Sequence, residues 1–181
     1  VASTRDFPGI GLVIVTYRAA GFIADCLESV LASRYADLRI VVVDNASPDE
    51  TVQAVRQWAT GAEPALRPDW PFAADHRAPR PVDFVECGPQ GPPDGRLGTV
   101  TLVHADGNLG FAGGVNLGLE LLRADPATDL FWVLNPDTVV EPQAPAAFAE
   151  AARRAGRFAL IGGRVVFFAE PQRVQIDGGR I

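Results

Sequence analysis

The most informative stretch of the sequence is Phe131-Trp132-Val133-Leu134-Asn135-Pro136-Asp137-Thr138. Its four large apolar residues predict a buried strand, and the polar residues after them predict a turn that contains a carboxylate. In open α/β proteins, ligands bind beyond the carboxyl ends of the strands, so this strand is expected to deliver Asp137 to a ligand site. An ordinary Pro-Asp turn after a strand is the alternative, because both residues are common in turns.

Two other segments favour the ligand site. Val41-Val42-Val43-Asp44-Asn45 repeats the pattern of an apolar strand followed by a carboxylate. The segment NLGFAGGVN (108–116) is a glycine-rich turn that opens into a helix. Glycine inside a helix costs about 1 kcal/mol relative to alanine, so the adjacent Gly113 and Gly114 indicate a steric requirement. That requirement is either the close approach of a ligand or tight packing of the helix on a strand.

Length and composition exclude several classes of protein. The 181 residues suffice for one domain with a core, and 48% hydrophobic with 21% charged residues is typical of a soluble globular domain. The net charge of −6 argues against a nucleic-acid partner, so an anionic ligand needs a cation or helix N-termini. No apolar run reaches the roughly 20 residues of a transmembrane segment. Cys26 and Cys87 lie far apart, which predicts free thiols.

Strands and helices alternate along the chain. Strands are predicted at 11–16, 38–43, 99–104, 130–134 and 158–161, with shorter ones at 165–168 and 174–176. Helices are predicted at 22–33, 47–59, 112–123 and 142–155. The order predicts an α/β fold in which a doubly wound, mostly parallel sheet has helices on both faces.

Two local features complete this organisation. The second helix is expected to begin at Ser47, which forms a capping box with Glu50. Residues 61–98 interrupt the alternation with many prolines and glycines, and we interpret them as an insertion that contains a short strand at 82–86.

Several common site motifs are missing from the sequence. It has no strand–GxGxxG–helix, no GxxxxGK[ST] and no GxSxG, which argues against dinucleotide-binding, P-loop and serine-hydrolase proteins of those types. His76 and His104 are isolated, and a structural role is predicted for His104 at the end of its strand.

Asp44 and Asp137 are the candidate ligand-binding carboxylates. Each follows an apolar strand, so both are expected at the same edge of one sheet. Magnesium or manganese is usually held by one or two protein carboxylates together with the phosphates of the ligand, so Asp137 alone suffices if a diphosphate binds. For Asp44, a turn or capping role near Ser47 remains the alternative.

Together with Val13-Ile14-Val15-Thr16-Tyr17, these segments resemble the family 2 glycosyltransferases of GT-A fold. The motifs follow the family's order: a first strand ending in Thr-Tyr, a VVVDNAS-like second strand, an NxGFAGGxN turn, and a strand that ends in a DxD-like triplet. The resemblance covers most of residues 10–165 apart from 61–98. The triplet Asn135-Pro136-Asp137 resembles the bacterial rhamnosyltransferase-like branch most.

The resemblance implies a role for each matching residue. Asp44 would accept a hydrogen bond from a ring N–H of the base, and Asp137 would hold the Mg²⁺ or Mn²⁺ that bridges the diphosphate. Asn135 replaces the first carboxylate of the triplet and is expected to contact ribose or water. The residues expected to bind the nucleotide-sugar are Thr16, Tyr17, Asp44, Asn45, Asn108, Gly110, Phe111, Asn116, Asn135 and Asp137.

The resemblance therefore predicts an enzyme, an inverting and metal-dependent glycosyltransferase. It would transfer a sugar, rhamnose in this branch, from a UDP- or dTDP-sugar to a hydroxyl of a glycan or a lipid-linked saccharide. Such an enzyme would serve bacterial cell-surface polysaccharide synthesis in the cytoplasm or at the inner face of the membrane. Oligomeric state, including a homo-oligomer, is left open.

The general base is a separate expectation. An inverting transferase needs a base to take the acceptor's proton, and in this family it lies well after the metal triplet. Asp177 comes too early and is predicted to serve a turn, so the base is expected beyond Ile181. Residues 1–181 are thus expected to form a single nucleotide-sugar-binding domain that is truncated at its C-terminus and transfers poorly alone.

Two other functions fit the sequence less well. A sugar nucleotidyltransferase usually has a basic, glycine-rich loop after its first strand, whereas residues 16–21 offer one arginine and one glycine. A degenerate transferase domain that only binds nucleotide is the second, and the presence of both Asp44 and Asp137 argues against it.

Overall fold

A computed structural model describes residues 7–33, 35–62, 80–157 and 160–177. Its main sheet has five parallel strands in the order β3-β4-β2-β1-β5. These strands are β1 (Ile10–Thr16), β2 (Leu38–Asp44), β3 (Phe84–Cys87), β4 (Val100–His104) and β5 (Leu130–Leu134). The helices are α1 (Ile23–Leu31), α2 (Thr51–Thr60), α3 (Gly110–Ala124) and α4 (Ala144–Ala155). The predicted parallel α/β fold is confirmed.

Alternate side chains of the strands form two hydrophobic layers. Residues such as Leu12, Ile14 and Val42 pack with α1, α2 and α4 on one face of the sheet. On the other face, Val13 and Val43 pack with α3. Because β1 and β2 are buried on both faces, their sequences are continuous apolar runs rather than alternating ones.

The carboxyl ends of the central strands meet at one edge of the sheet. Thr16 of β1 is paired with Asp44 of β2, and Asp44 is paired with His104 of β4. Leu134 at the end of β5 is paired with Ile14, so the turn 135–138 starts from the same edge. The sequence-based prediction that Asp44 and Asp137 follow strands ending at one edge is confirmed.

The predicted start of α2 is wrong. The helix begins at Thr51, and Glu50 at its N-cap makes no side-chain capping bond. Ser47 accepts a hydrogen bond from the Arg18 backbone instead, at 3.2 Å. The segment before Thr51 is therefore bonded to the loop after β1, and Ser47 of the apparent capping box is used in that contact.

Part of the region 61–98 belongs to the sheet. The short strand predicted at 82–86 exists as β3, which pairs with β4 at the edge of the sheet. Residues 63–79 lie outside the described part of the chain, and the interpretation of 61–98 as an insertion stays a prediction. A half-buried, four-residue edge strand carries little periodic signal, which explains why its membership in the sheet was missed.

The end of the chain holds a second, two-stranded sheet. β6 (Arg164–Phe167) and β7 (Glu170–Asp177) pair antiparallel, which confirms the two short strands predicted there. The strand predicted at 158–161 is wrong for Leu160 and Ile161, which are not in a strand, while 158 and 159 lie outside the described residues. Leu160 is 81% exposed, so its apolar side chain does not pack in the core of the described structure.

Within the described ranges, none of the helices combines the length and the apolar character that crossing a membrane requires.

Candidate functional site

The Asp44 carboxylate is held in a fixed orientation at the end of β2. Its Oδ1 accepts a hydrogen bond from Thr16 Oγ1 at 3.1 Å, and its Oδ2 accepts one from the Ser47 backbone N–H at 3.0 Å. Asp44 is 3% exposed and Thr16 is fully buried. The turn role considered from the sequence is therefore real, but it leaves each carboxylate oxygen with further acceptor capacity for a ligand N–H.

The loops after β1 and β2 are joined and strained. The backbone N–H of Ala19 donates to Thr51 Oγ1 at 2.8 Å, and that of Arg18 donates to Ser47 Oγ. Arg18 and Ala46 have φ values of 56° and 55°, in the left-handed region that non-glycine residues rarely adopt. Each such residue costs about 1–3 kcal/mol and persists only where the surrounding structure fixes it. Strain of this kind is common at ligand sites. It therefore supports the interpretation that the carboxyl edge of the sheet is preorganised to bind a ligand.

Asn45 links the end of β2 to the start of α3. Its Nδ2 donates to the Gly110 carbonyl at 3.0 Å, while its Oδ1 is buried and has no hydrogen-bond partner among the described residues. A buried acceptor left without a donor is unfavourable by about 1–3 kcal/mol. Asn45 therefore offers an unused acceptor at the same edge as Asp44.

The glycines of the segment 108–116 serve different purposes. Gly110 has a φ of +69° and open space where a side chain would be, and its N–H donates to Asn108 Oδ1 at 2.9 Å. A Cβ on Gly114 would lie 2.7 Å from Val15 Cγ1, inside the core. The packing alternative therefore explains Gly114, whereas close approach of a ligand remains open for Gly110.

The other residues assigned from the sequence are exposed. Tyr17 follows β1 directly and Phe111 lies in the first turn of α3, with 46% and 56% of their surfaces exposed. Asn116 is two residues beyond the buried Gly114, which places it on the side of α3 away from the sheet. The exposed residues of the predicted set are Tyr17, Asn108, Gly110, Phe111, Asn116, Asn135 and Asp137.

Asp137 lies in a short turn that α1 supports. The turn is closed by a hydrogen bond from the Thr138 backbone N–H to the Asn135 carbonyl, at 3.3 Å. Cys26 Sγ of α1 lies 3.7 Å from that carbonyl and donates to it. Burial, and to a smaller extent the Asp137 carboxylate, raises the pKa of Cys26 to about 12, while the Thr138 backbone opposes the shift. Cys26 is therefore a protonated donor at neutral pH.

The side chains at this edge of the sheet fit a divalent cation only if a bound ligand supplies further oxygen atoms. No group of three or more His, Cys, Asp or Glu side chains that could hold a metal occurs in the part of the chain that the structure describes. Asp137 supplies one exposed, hard carboxylate oxygen, which Mg²⁺ and Mn²⁺ accept together with phosphate oxygens. Asp137 thus fits a cation that arrives with, or is completed by, a diphosphate.

A polar cluster beside Asp44 received no functional role from the sequence. His104 is paired in register with Asp44, and its Nε2 lies 2.5 Å from Glu86 Oε1. Arg56 Nε donates to Glu86 Oε2 at 3.0 Å, and this pairing is the main reason why the pKa of Glu86 lies below its usual value. The signal was available, because β4 shows the same pattern as β2, an apolar run that ends in a polar residue.

The fold is that of GT-A-like glycosyltransferases. Residues 1–349 of TarS from S. aureus, in complex with UDP-GlcNAc, match with a TM-score of 0.52 and 14% identity over 81% of this chain and 31% of that chain. The mannosyltransferase PcManGT from Pyrobaculum calidifontis, in complex with GDP-Man and Mn²⁺, matches with a TM-score of 0.51 and 24% identity over 77% of this chain and 31% of that chain. The chain thus spans less than a third of the length of either structure.

Sequence comparison supports the family resemblance over the first part of the chain. Residues 12–68 match the model of Glycosyl transferase family 2. The matched segment holds most of β1, all of α1, β2 and α2, and the site residues Thr16, Tyr17, Asp44 and Asn45. No curated protein matches the chain. The rhamnosyltransferase-like branch stays a prediction.

Proposed function

We propose that this chain is the donor-binding domain of a family 2 glycosyltransferase and binds a nucleoside diphosphate sugar at the carboxyl edge of its sheet. One observation carries the proposal: the Asp44 carboxylate is fixed by Thr16 and Ser47 at the edge from which the turn with Asp137 also starts. A base with a ring N–H needs a hydrogen-bond acceptor, and the cation of a metal-bound diphosphate needs a carboxylate, at separate points of one cleft.

The nucleoside would lie against the ends of β1 and β2. Asp44 would accept from a ring N–H of the base, and the exposed ring of Tyr17 offers a surface on which the base can stack. Asn45 Oδ1 is a buried acceptor without a partner in the described structure, and a ribose hydroxyl or a water molecule that the ribose orders would satisfy it. Gly110, with open space at its Cα, would let the donor approach the start of α3.

The diphosphate would lie towards Asn135 and Asp137. When bound there with the diphosphate, Mg²⁺ or Mn²⁺ would neutralise charge on the leaving nucleoside diphosphate. Asp137 would hold the cation by one carboxylate oxygen, and Asn135 would contact the ribose or a water molecule. The remaining work of the domain is to orient the anomeric carbon of the sugar towards the acceptor hydroxyl.

Finer features of the reaction belong to this proposal as well. From the sequence resemblance we propose transfer with inversion, a UDP- or dTDP-linked donor, rhamnose as the sugar, and a glycan or lipid-linked acceptor at the cytoplasmic side of the membrane. The two solved structures above carry UDP-GlcNAc and GDP-Man, so the same fold accepts different bases. Guanine therefore has to be tested beside uracil and thymine.

The first prediction concerns Asp137. Calorimetric titration with UDP, dTDP and GDP is expected to give binding that Mn²⁺ strengthens. Asp137→Ala is expected to remove that strengthening, because the described residues contain no group of three or more His, Cys, Asp or Glu side chains that could hold the ion in its place. Mn²⁺ alone should bind weakly to the wild type. The matched control is Glu141→Ala, which removes an exposed carboxylate four residues away and should keep the Mn²⁺ effect. Failure of all three nucleotides to bind would refute the proposed function.

The second prediction concerns Asp44. Asp44→Asn is expected to weaken nucleotide binding about ten- to a hundredfold with and without Mn²⁺, because the carboxylate that accepts from the base is lost. The fold should tolerate the change, since the amide oxygen can still face the Ser47 N–H and the amide nitrogen can face the Thr16 hydroxyl.

A ligand-side control makes this test specific to the base. UDP methylated at the ring N–H should bind the wild type as weakly as UDP binds Asp44→Asn, and the two changes together should cost little more than either alone. Fully additive losses would show that Asp44 does not contact that N–H.

A further inference from the structure

The turn that carries Asp137 is held on both sides of that residue by one turn of α1. Cys26 Sγ donates to the Asn135 carbonyl at 3.7 Å, on the N-terminal side of Asp137. Ser29, one helical turn further on, accepts a hydrogen bond from the Val140 backbone N–H at 3.0 Å. The Ser29 hydroxyl donates its hydrogen in turn to the Cys26 carbonyl at 2.6 Å, which leaves the oxygen lone pairs to accept from Val140.

We propose that Cys26 and Ser29 are positioning residues for Asp137, and that they set the geometry in which this carboxylate meets the cation and the diphosphate. The inference rests on the proposed function. Neither residue is expected to touch the ligand, because both are 1% exposed and lie beneath the turn.

Support from α1 is needed because the turn has little other restraint. Within residues 135–138, the one backbone bond is the 3.3 Å contact that closes the turn, and the side chains of Asn135 and Asp137 are exposed. In the described part of the chain, the hydrogen bonds that reach residues 135–140 from other elements all come from α1. A ligating carboxylate that is misplaced by a fraction of an ångström loses much of its cation affinity, and its supporting hydrogen bonds prevent that.

The same helix begins directly after the loop that follows β1. The Ile23 and Phe22 N–H groups both donate to the Ala19 carbonyl, at 3.0 Å each, and Ala19 is itself held by Thr51. α1 therefore connects the loop of Tyr17 and Arg18 to the turn of Asp137 through packed, buried structure. This connection would fix the distance between the base-binding and diphosphate-binding parts of the cleft.

The test separates hydrogen bonding from packing. Cys26→Val keeps an apolar side chain but removes the donor, whereas Cys26→Ser keeps a donor. Ser29→Ala removes the acceptor for Val140. For each variant, the affinity for the nucleoside diphosphate that the wild type binds best is measured with and without Mn²⁺, and the unfolding midpoint in urea is measured alongside.

The chain offers a matched control for each residue. Cys87 is the other free cysteine and lies in β3, so Cys87→Val changes the same chemical group away from the turn. Ser33 lies just after α1, and its Oγ has no partner in the described structure, so Ser33→Ala removes a hydroxyl that supports nothing there. Both controls should keep the wild-type effect of Mn²⁺.

We expect Cys26→Val and Ser29→Ala to reduce the Mn²⁺ enhancement of binding about tenfold while the metal-free affinity stays unchanged, and Cys26→Ser to restore it. Faster amide hydrogen exchange at Val140 in Ser29→Ala, with exchange in α3 unchanged, would support the same conclusion without any ligand. An undiminished Mn²⁺ enhancement in Cys26→Val and Ser29→Ala would overturn the inference and leave the proposed function intact. Equal losses with and without Mn²⁺ would also overturn it, because they indicate a general structural role. A wild type that binds nucleotide without any Mn²⁺ enhancement would overturn the inference and the proposed metal role of Asp137, but not the proposed binding of the nucleotide.

Discussion

Replacing Arg80 with methionine is expected to lower the free energy of unfolding by about 3–5 kcal/mol, because it removes the cation from a buried ion pair. Glu28 of α1 is 1% exposed and pairs with the Arg80 guanidinium. Arg80 also donates from Nε to the Trp58 carbonyl at 2.8 Å, and its Cζ lies 4.3 Å from the centre of the Trp58 ring. Trp58 Nε1 donates to the same Glu28 carboxylate at 2.9 Å, but a neutral donor does not compensate a buried charge.

Urea unfolding measures this effect as a lower midpoint at an unchanged slope. Arg96→Met is the matched control, since Arg96 pairs with Asp83 on the surface, where both side chains are about half exposed. An exposed pair contributes about 0.2–1 kcal/mol, so the control should change stability little. Adding Glu28→Gln to Arg80→Met should recover part of the loss, because the buried charge is then gone. If Arg80→Met were as mild as the control, the ion pair would not anchor α1 and α2 to the chain that leads into β3.

The central strands were predictable because they are buried on both faces of the sheet. β1, β2 and β4 lie inside the sheet with helices packed on one or both faces, and a strand in that position needs apolar side chains at successive residues. Their runs end abruptly at Thr16, Asp44 and His104, so the positions of the strand ends were visible as well. The rule that parallel strands present their carboxyl ends at one edge then places Asp44 and Asp137 on the same side without further information.

The packing of α3 could not be predicted from apolar periodicity. The sequence pattern predicts Val115, Leu119 and Leu122 on the buried side of the helix. Leu122 is buried, but Val115 and Leu119 are only partly buried against the core. The other fully buried positions are Gly114 and Gly118, so the buried side is shifted by one residue. The closest contact between this helix and the sheet is made by residues without side chains, which a hydrophobicity pattern cannot detect. The same shift explains why Asn116, grouped with the site by sequence, lies on the outward side of α3.

The support of the Asp137 turn was also beyond sequence reasoning. Cys26 and Asn135 are 109 residues apart, and Ser29 and Val140 are 111 residues apart. Cys26 was correctly predicted to be a free thiol, but a single sequence holds no signal for the partner of a buried side chain across such a distance. What the sequence predicts at this site is the residues at strand ends, and what it misses is the structure beneath them.

Gly118→Val is expected to destabilise the protein by about 3 kcal/mol, because it overpacks the closest contact between α3 and the sheet. A Cβ on Gly118 would lie 2.6 Å from Val13 Cγ1 and 3.3 Å from Val43 Cγ2. Both valines are fully buried in central strands, so neither side chain can move aside. The gain in helix propensity on leaving glycine is below about 1 kcal/mol and does not offset the overlap.

Thermal unfolding should report this loss as a decrease in Tm of about 6–12 °C for a domain of this size. Glu120→Val is the matched control, since it places the same side chain on the exposed side of α3, where about 0.5 kcal/mol or less is expected. Displacing α3 would also move Gly110 away from Asn45, so nucleotide affinity should fall together with stability in Gly118→Val alone. Combining it with Val13→Ala makes room for the new side chain, and the double variant should be more stable than the sum of the two changes by at least about 0.5 kcal/mol. Strict additivity would mean that α3 moves away as a rigid body and that Val13 does not determine how closely the helix approaches the sheet.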